Sequence, residues 1–489
     1  MAKRTAVIDI GSNSVRMIIM EKTSRFAFHL LHEVKSRVRI SENAYQNNGE
    51  LQEEPMQRAI SALRDFVQIA HSYDVRKTLC VATSAVRDAG NKKSFLSRVQ
   101  KELGLNIKVI SGDREAYLGG IACANLLPRQ DAMTLDIGGG STEYASIRKG
   151  AVIESHSLDL GAVRLKELCF DTNDIKGAKA YIDTALETMQ IESHSHIIGV
   201  GGTFRALAQI ILKNKNHPLN KLHGFSFNAT DVIDLGEKIL KAEKRTDLKA
   251  LGIKKERYDV IKPGTLILLR IIKKVGCTEL TCSGVGVREG VYLSDLLRHN
   301  RDVFPNNYNP SLRYLLDRHS HNALQRNLRV SLTKKLFTLL HEKLHLDTGY
   351  EKPLLIAAKL AKIGSAHSFY AYSGHGHYLI LTALEYGYSH EEIALIATLV
   401  LYQSGKQPDK SYLETYAPLL PETKTIRRLT YLLALGEALL SHYPQTIDFD
   451  LSLEEEKLVV TPHKKTAYLT VESINAMSKG LLEVVFKEG

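Results

Sequence analysis

The feature that most constrains the fold is a short motif that occurs twice. Residues 9–14 read DIGSNS and residues 136–142 read DIGGGST, and each copy follows an apolar run typical of a β-strand. Glycines let backbone amides approach an anion, hydroxyls add donors, and the aspartate can hold a cation that neutralises phosphate charge. A single copy is also typical of an ordinary tight turn. Because there are two widely separated copies, we expect two phosphate-binding loops.

Three further segments sharpen this interpretation. They are residues 80–91 (CVATSAVRDAGN), 109–116 (VISGDREA) and 287–290 (VREG). With the two loops they resemble, in order, the motifs of the exopolyphosphatase and guanosine pentaphosphate phosphatase (Ppx/GppA) family, which belongs to the actin, sugar kinase and Hsp70 superfamily. The resemblance covers roughly residues 5–295 and weakens beyond residue 300. It implies an α/β fold with two ribonuclease-H-like, actin-like ATPase domains facing a cleft.

The length of 489 residues exceeds what one hydrophobic core usually serves. We expect the two ribonuclease-H-like domains at residues 1–128 and 129–300. A Pro- and Asn-rich linker at 301–310 is followed by periodic apolar patterns that predict a mostly helical domain at 311–443. This domain resembles the His-Asp domain found after the first two domains in long members of the family. Residues 444–489 are expected to form a small α+β unit, with strands around 457–460 and 466–471.

The resemblance places the His-carboxylate metal pair of a His-Asp domain at residues 360–364, where this chain reads LAKIG. No Asp, Glu or His occurs across residues 352–366, so a shifted alignment does not restore the pair. His321, His375 and His377 remain as candidates for a hydrogen-bonded or anion-binding surface. We therefore expect no catalytic metal in the helical domain.

The net charge of +11 and the pI near 9.1 are consistent with a polyanionic partner. Nucleic acid is disfavoured, because the chain has no recognisable nucleic-acid-binding module, no tryptophan and no basic tail. Inorganic polyphosphate would meet the same electrostatic demand. A basic protein without any polyanionic ligand also accounts for the charge.

The longest strongly apolar stretch, residues 393–402, is far too short to span a bilayer. The first residues, MAKR, run directly into a strand and leave no room for an export segment. The expectation is a cytoplasmic protein with no membrane contact. Five cysteines, an odd number without a Cys-x-x-Cys pair, indicate free, buried thiols.

The resemblance also implies roles for individual residues. Glu115 would be the base that deprotonates the attacking water, and Arg87 would bind the terminal phosphoryl oxygens. The metal, Mg²⁺ or Mn²⁺, would be held by Asp136, Glu143 and Asp9. A carboxylate at a helix start is the plain alternative for Glu115. The expected phosphate-binding residues are Gly11, Ser12, Asn13, Ser14, Gly138, Gly139, Gly140, Ser141 and Thr142.

Together these expectations describe a hydrolase that releases terminal orthophosphate. Its substrate is inorganic polyphosphate, guanosine pentaphosphate (a signal of the stringent response) or both. The protein is expected to form a homodimer. A kinase or a nucleotide-gated scaffold of the same superfamily is the alternative. The GGT turn at residues 201–203 is either a nucleotide contact or a tight turn. A Rossmann site at residues 284–290 is excluded, because Glu289 stands where that motif needs glycine.

Overall fold

The computed structural model describes residues 3–44, 46–189, 194–464, 467–477 and 481–487. The chain divides into two compact units, residues 1–310 and 311–489. None of the described helices is long and apolar enough to cross a membrane. The five cysteines are buried and free, as predicted.

The first unit begins with a five-stranded sheet in the order β3-β2-β1-β4-β5. Strands β1 to β3 are antiparallel, and β4 and β5 run parallel to β1. Apolar faces of α1 and α3 pack on the sheet and form the first core. The elements are β1 (Lys3–Ile10), β2 (Val15–Lys22), β3 (Phe28–Ser36), α1 (Glu53–Ser72), β4 (Lys77–Ala82), α2 (Ser84–Asp88), α3 (Lys92–Leu103) and β5 (Ile107–Val109).

A helix, α4 (Gly112–Leu126), then leads to a six-stranded sheet in the order β10-β11-β9-β6-β7-β8. Strands β6 to β8 are again antiparallel, and β9 and β11 run parallel to β6, so this sheet repeats the first one and adds β10 at one edge. The α/β class with two ribonuclease-H-like domains is thereby confirmed. The elements are β6 (Ala132–Ile137), β7 (Thr142–Arg148), β8 (Ala151–Leu158), α5 (Ala162–Leu165), α6 (Ile175–Glu187), β9 (His196–Val200), α7 (Gly201–Asn214), β10 (Ser226–Asn228), α8 (Ala229–Lys241), α9 (Arg245–Ala250), α10 (Ile261–Val275), β11 (Glu279–Cys282) and α11 (Val287–Leu296).

In the first unit, two helices each pack on the sheet of the other half. Helix α4 follows the first sheet but packs on β7 and β8 of the second, and α11 follows the second sheet but packs on β1 of the first. The two helices meet where Gly290 faces Leu118, and a Cβ added to Gly290 would lie 1.9 Å from the Leu118 carbonyl oxygen. Only glycine permits this approach, which holds α4 and its side chains in register with both sheets.

The second unit is mostly helical and ends in a small three-stranded sheet, β12-β13-β14. The predicted strand at residues 466–471 is wrong for its described part, because α19 begins at Tyr468; residue 466 lies outside the described residues. The β-branched and aromatic residues there indicated a strand, but packing of α19 against α18 overrides that weak preference. The elements are α12 (Pro310–His319), α13 (Ala323–Leu340), α14 (Glu351–Leu360), α15 (Tyr372–Ala383), α16 (His390–Leu401), α17 (Lys410–Tyr416), α18 (Thr423–Leu439), β12 (Phe449–Glu454), β13 (Lys457–Pro462), α19 (Tyr468–Ala476) and β14 (Val484–Phe486).

Candidate active site

The two copies of the motif form equivalent loops between antiparallel strands. Residues 11–14 join β1 to β2, and residues 138–141 join β6 to β7. In each loop the first amide donates to the last carbonyl: Gly11 to Ser14 at 3.2 Å and Gly138 to Ser141 at 2.9 Å. The repetition seen in the sequence is therefore a repetition of backbone geometry.

Carbonyl groups in both loops are engaged, whereas their central amides are not. In the first loop, the Ser12 carbonyl accepts from the Ser41 amide at 3.3 Å and the Asn13 carbonyl from the Arg39 amide at 3.2 Å. In the second, residues 162–164 donate to the carbonyls of residues 138 and 139, and the Arg164 side chain donates to that of residue 140. Within the described part of the chain, the amides of residues 12, 13, 139 and 140 have no acceptor. Such loops present N–H groups to an anion.

The loops face each other across one cleft of about 150 Å³. They nearly touch, since a Cβ added to Gly139 would lie 3.0 Å from the Cβ of Ser12. Most of the residues predicted as site residues line this cleft: Asp9, Gly11, Ser12, Asn13, Ser14, Glu115, Asp136, Gly138, Gly139, Gly140, Ser141 and Glu143.

Two predicted residues do not line the cleft. Thr142 is fully buried, and its hydroxyl donates to the Leu160 carbonyl, so it supports the second loop from behind. Arg87 lies at the end of α2, where its Nη1 donates to Glu115 Oε2 at 3.0 Å. In this geometry Arg87 holds Glu115 in place.

Glu115 lies in the first turn of α4, whose N-cap Ser111 accepts the Arg114 amide at 3.2 Å. Burial raises the pKa of Glu115 well above its usual range, and the nearby Glu143 and Asp9 raise it further, while Arg87 lowers it. The Glu115 carboxyl group thus lines the cleft beside Arg87 of α2. A buried carboxyl group with a perturbed pKa in a cleft is a candidate general base.

Three more carboxylates share the cleft. Burial raises the pKa of Asp9 to about 6, against the opposing effect of Arg288 and Arg16. It raises the pKa of Glu143 to about 7, although Ser141 and Ser157 hydrogen-bond to that carboxylate. It also raises the pKa of Asp136. Burial therefore disfavours the charged form of each of these three carboxylates.

These carboxylates fit a divalent cation. Asp9 Oδ1 is buried without a hydrogen-bond partner, which is the state of an oxygen available to a cation. Among the described residues, no group of three or more His, Cys, Asp and Glu side chains is arranged as a complete protein metal site. Mg²⁺ does not need one, because it is commonly held by one or two carboxylates together with water and phosphate oxygens.

Positive side chains also line the cleft, and the sequence interpretation missed them. They are Arg16, Lys35, Arg205, Arg257 and Arg288. Burial and the surrounding arginines lower the pKa of Lys35 to about 8. The repeated motif could have indicated Arg16, because the strand register pairs Asp9 with Arg16 as it pairs Asp136 with Glu143. The others come from separate elements.

The histidines of the helical domain form ring and hydrogen-bond contacts. The His375 ring packs on that of His367 in a tilted arrangement with centroids 5.8 Å apart, and His377 Nε2 lies 3.1 Å from the Tyr412 hydroxyl. Lys362, in the place of the expected His-carboxylate pair, forms a 3.0 Å ion pair with Glu437. The absence of a catalytic metal here stays a prediction.

Models of known protein families match both units of the chain. The model of the Ppx/GppA phosphatase family matches residues 7–299, and the model of Ppx/GppA phosphatase domain III matches residues 312–469. A bifunctional 3-dehydroquinate synthase/phosphatase of Fusobacterium nucleatum is 30% identical over 292 residues, which are 55% of this chain and 43% of that protein. The chain therefore aligns with less than half the length of that relative.

Two solved structures resemble the first unit. The Aquifex aeolicus member of the Ppx/GppA family is 28% identical, with a TM-score of 0.53 over 61% of this chain and 99% of that one. An exopolyphosphatase from Cytophaga hutchinsonii is 26% identical, with a TM-score of 0.55 over 60% of this chain and 98% of that one.

Proposed function

The chain belongs to the Ppx/GppA phosphatase family, and we propose that it hydrolyses the terminal phosphoanhydride bond of linear phosphate chains, inorganic polyphosphate or guanosine pentaphosphate. The observation that carries the proposal is the pair of facing loops with unpartnered amides. Two such loops can hold successive phosphates of one chain. Both substrates end in the free phosphoryl group that this site fits.

The residues of the cleft have different roles in this reaction. The loop amides, with Arg16 and Arg288, bind the phosphate oxygens and neutralise their charge. Glu115 accepts the proton of a water molecule whose oxygen attacks the terminal phosphorus. The new P–O bond replaces the bond to the bridging oxygen, and the shortened chain leaves with that electron pair. A positioned base of this kind contributes about 10²–10⁴-fold in rate.

Arg87 acts through Glu115. Its hydrogen bond to Oε2 fixes the carboxyl orientation and leaves the other oxygen for water. We therefore propose a positioning role for Arg87, in addition to any contact with the terminal phosphoryl group.

Asp9, Asp136 and Glu143 are the residues that would hold Mg²⁺ or Mn²⁺. A bound divalent cation supplies charge neutralisation on the leaving phosphate. Without it, burial disfavours the charged forms of all three carboxyl groups and raises the pKa of Asp9 to about 6 and that of Glu143 to about 7.

The test is orthophosphate release from polyphosphate and from guanosine pentaphosphate, with Mg²⁺ present and no acceptor. We expect release from at least one substrate. Failure on both substrates with the folded protein would refute the proposal. Release that depends on ADP or on a sugar, with phosphate found on that acceptor, would identify a kinase.

A further inference from the structure

One hydroxyl group of the cleft takes no part in the reaction as proposed so far. Ser84 lines the cleft, yet only 2% of the residue is exposed. Among the residues that the structure describes, its Oγ has no hydrogen-bond partner. A buried polar group without a partner costs free energy, and proteins keep such groups mainly where activity needs them. A ligand atom in the cleft would supply the missing partner.

Ser84 lies beside the first phosphate-binding loop. Strand β4 runs parallel to β1 with Ala82 beside Ile10, and the Thr83 amide donates to the Ile10 carbonyl at 3.1 Å. Ser84 follows directly as the first residue of α2. The end of β4 that leads to Ser84 is therefore next to the end of β1 that leads into the loop.

The same short helix also contacts the proposed base. Arg87 follows Ser84 by three residues in α2, a spacing that places both side chains on one face of a helix. Arg87 Nη1 donates to Glu115 Oε2 at 3.0 Å, and Glu115 lines the cleft together with Ser84. Ser84 is therefore one helical turn from the residue that holds the base, and beside the loop that binds phosphate.

The chemistry of a hydroxyl group suits a phosphoryl oxygen. A serine hydroxyl donates one hydrogen bond, and a charged phosphoryl oxygen only accepts hydrogen bonds. In phosphoryl transfer, the negative charge of the transition state is spread over the three equatorial oxygens of the group that is transferred. A donor held rigidly against one of these oxygens stabilises the transition state without having to reorient.

We propose that Ser84 is a catalytic residue, whose hydroxyl donates a hydrogen bond to an oxygen of the terminal phosphoryl group while water attacks it. The inference rests on the proposed function and adds one contact to the reacting group. No bond to Ser84 forms or breaks, since the hydroxyl keeps its proton and Glu115 accepts the proton of the water. The plain alternative is a small side chain that fills a narrow space, where alanine would serve equally well.

The experiment compares wild type with Ser84→Ala. The matched control is Ser441→Ala in the second unit, because Ser441 Oγ is likewise buried without a partner among the described residues but lies outside the cleft. Each protein is measured for its Tm without ligands, for kcat of orthophosphate release, and for the dissociation constant of orthovanadate by calorimetry. The substrates are polyphosphate and guanosine pentaphosphate. Orthovanadate imitates the phosphoryl group in its transition state, so its affinity reports contacts made there.

We expect Ser84→Ala to keep or raise Tm, because it removes a buried hydroxyl that no described residue partners. It should lose at least about tenfold both in kcat and in affinity for orthovanadate. The control should keep or raise Tm in the same way, with kcat and orthovanadate affinity unchanged.

Wild-type kcat in Ser84→Ala would overturn the proposal, and so would a lower kcat with unchanged affinity for orthovanadate. A clearly lower Tm together with both losses would also overturn it, because Ser84 would then support the fold. If wild type releases no orthophosphate from either substrate, the proposed function fails, and the orthovanadate affinities alone decide on Ser84.

Discussion

Arg87 Nη1 donates a hydrogen bond of 3.0 Å to Glu115 Oε2, although the two residues follow different strands, β4 and β5. The bond links α2, which follows β4, to α4, which packs on the second sheet. Arg87 lowers the pKa of Glu115, against the larger effect of burial. The pair therefore sets both the position and the basicity of the proposed base.

Replacing Arg87 by Ala should shift the acidic limb of the pH profile of kcat/KM to higher pH, because Glu115 then loses the charge that lowers its pKa. Lysine at this position should restore part of the shift. The measurement is phosphate release across pH 5–9. A profile that keeps its midpoint while KM rises would assign Arg87 to substrate contact alone.

Glu115→Gln should keep the fold and bind substrate, yet lose turnover by at least about 100-fold, because the amide cannot accept the proton of water. Glu21→Gln is the matched control, since Glu21 is also a buried glutamate but does not line the cleft. Its carboxylate pairs with Arg4 at 2.9 Å. It should change stability more than kcat. Wild-type turnover in folded Glu115→Gln would assign the base to another carboxylate.

Activity should require Mg²⁺ or Mn²⁺ and vanish in excess chelator, because the carboxylates of the cleft fit a cation. Asp136→Asn should raise the Mg²⁺ concentration needed for half-maximal activity by about tenfold or more. Titrating Mg²⁺ at fixed substrate gives this value. Full activity in chelator would refute the metal role.

Glu143→Gln should stabilise the metal-free protein at pH 8. The pKa of Glu143 is raised from 4.5 to about 7 in the folded state, so the folded protein binds this proton more tightly than the unfolded chain. The stabilisation of the folded state by this bound proton is full below pH 4.5 and is lost as the pH rises through about 7. The expected gain at pH 8 is on the order of 1–3 kcal/mol and a few degrees in Tm. Thermal unfolding of both proteins at pH 5 and pH 8 measures it, and an equal difference at the two pH values would contradict it.

Gly161→Ala should damage the second loop. A Cβ there would lie 2.3 Å from the Gly139 carbonyl oxygen, whereas the backbone angles of Gly161 suit any residue. We expect kcat/KM to fall by about tenfold or more and stability by about 1–3 kcal/mol. Gly119→Ala, in α4 with no neighbour within 4 Å of the new Cβ, should be neutral or stabilising by up to about 1 kcal/mol. Equal effects of the two substitutions would contradict the close-approach argument.

The loops and Glu115 could be predicted because each is coded locally. A strand, a small-residue turn and a capped helix start occupy a few consecutive positions. The cations could not be found this way. Arg16, Lys35, Arg205 and Arg257 stand on different elements and meet only through the topology of the sheets. Homodimer formation and guanosine pentaphosphate hydrolysis stay predictions.

The exchange of α4 and α11 between the two sheets has a consequence for the order of folding. Helix α4 ends at Leu126 and β7 begins at Thr142, so in synthesis from the N-terminus the apolar face of α4, with Cys123, is made before its partner strands β7 and β8. The first sheet likewise waits for α11, with Tyr292 packed 5.0 Å from Phe28. Neither half is complete alone. We therefore expect the two halves to unfold together in one cooperative transition, and a chain cut after residue 128 to yield two fragments that fold only when mixed.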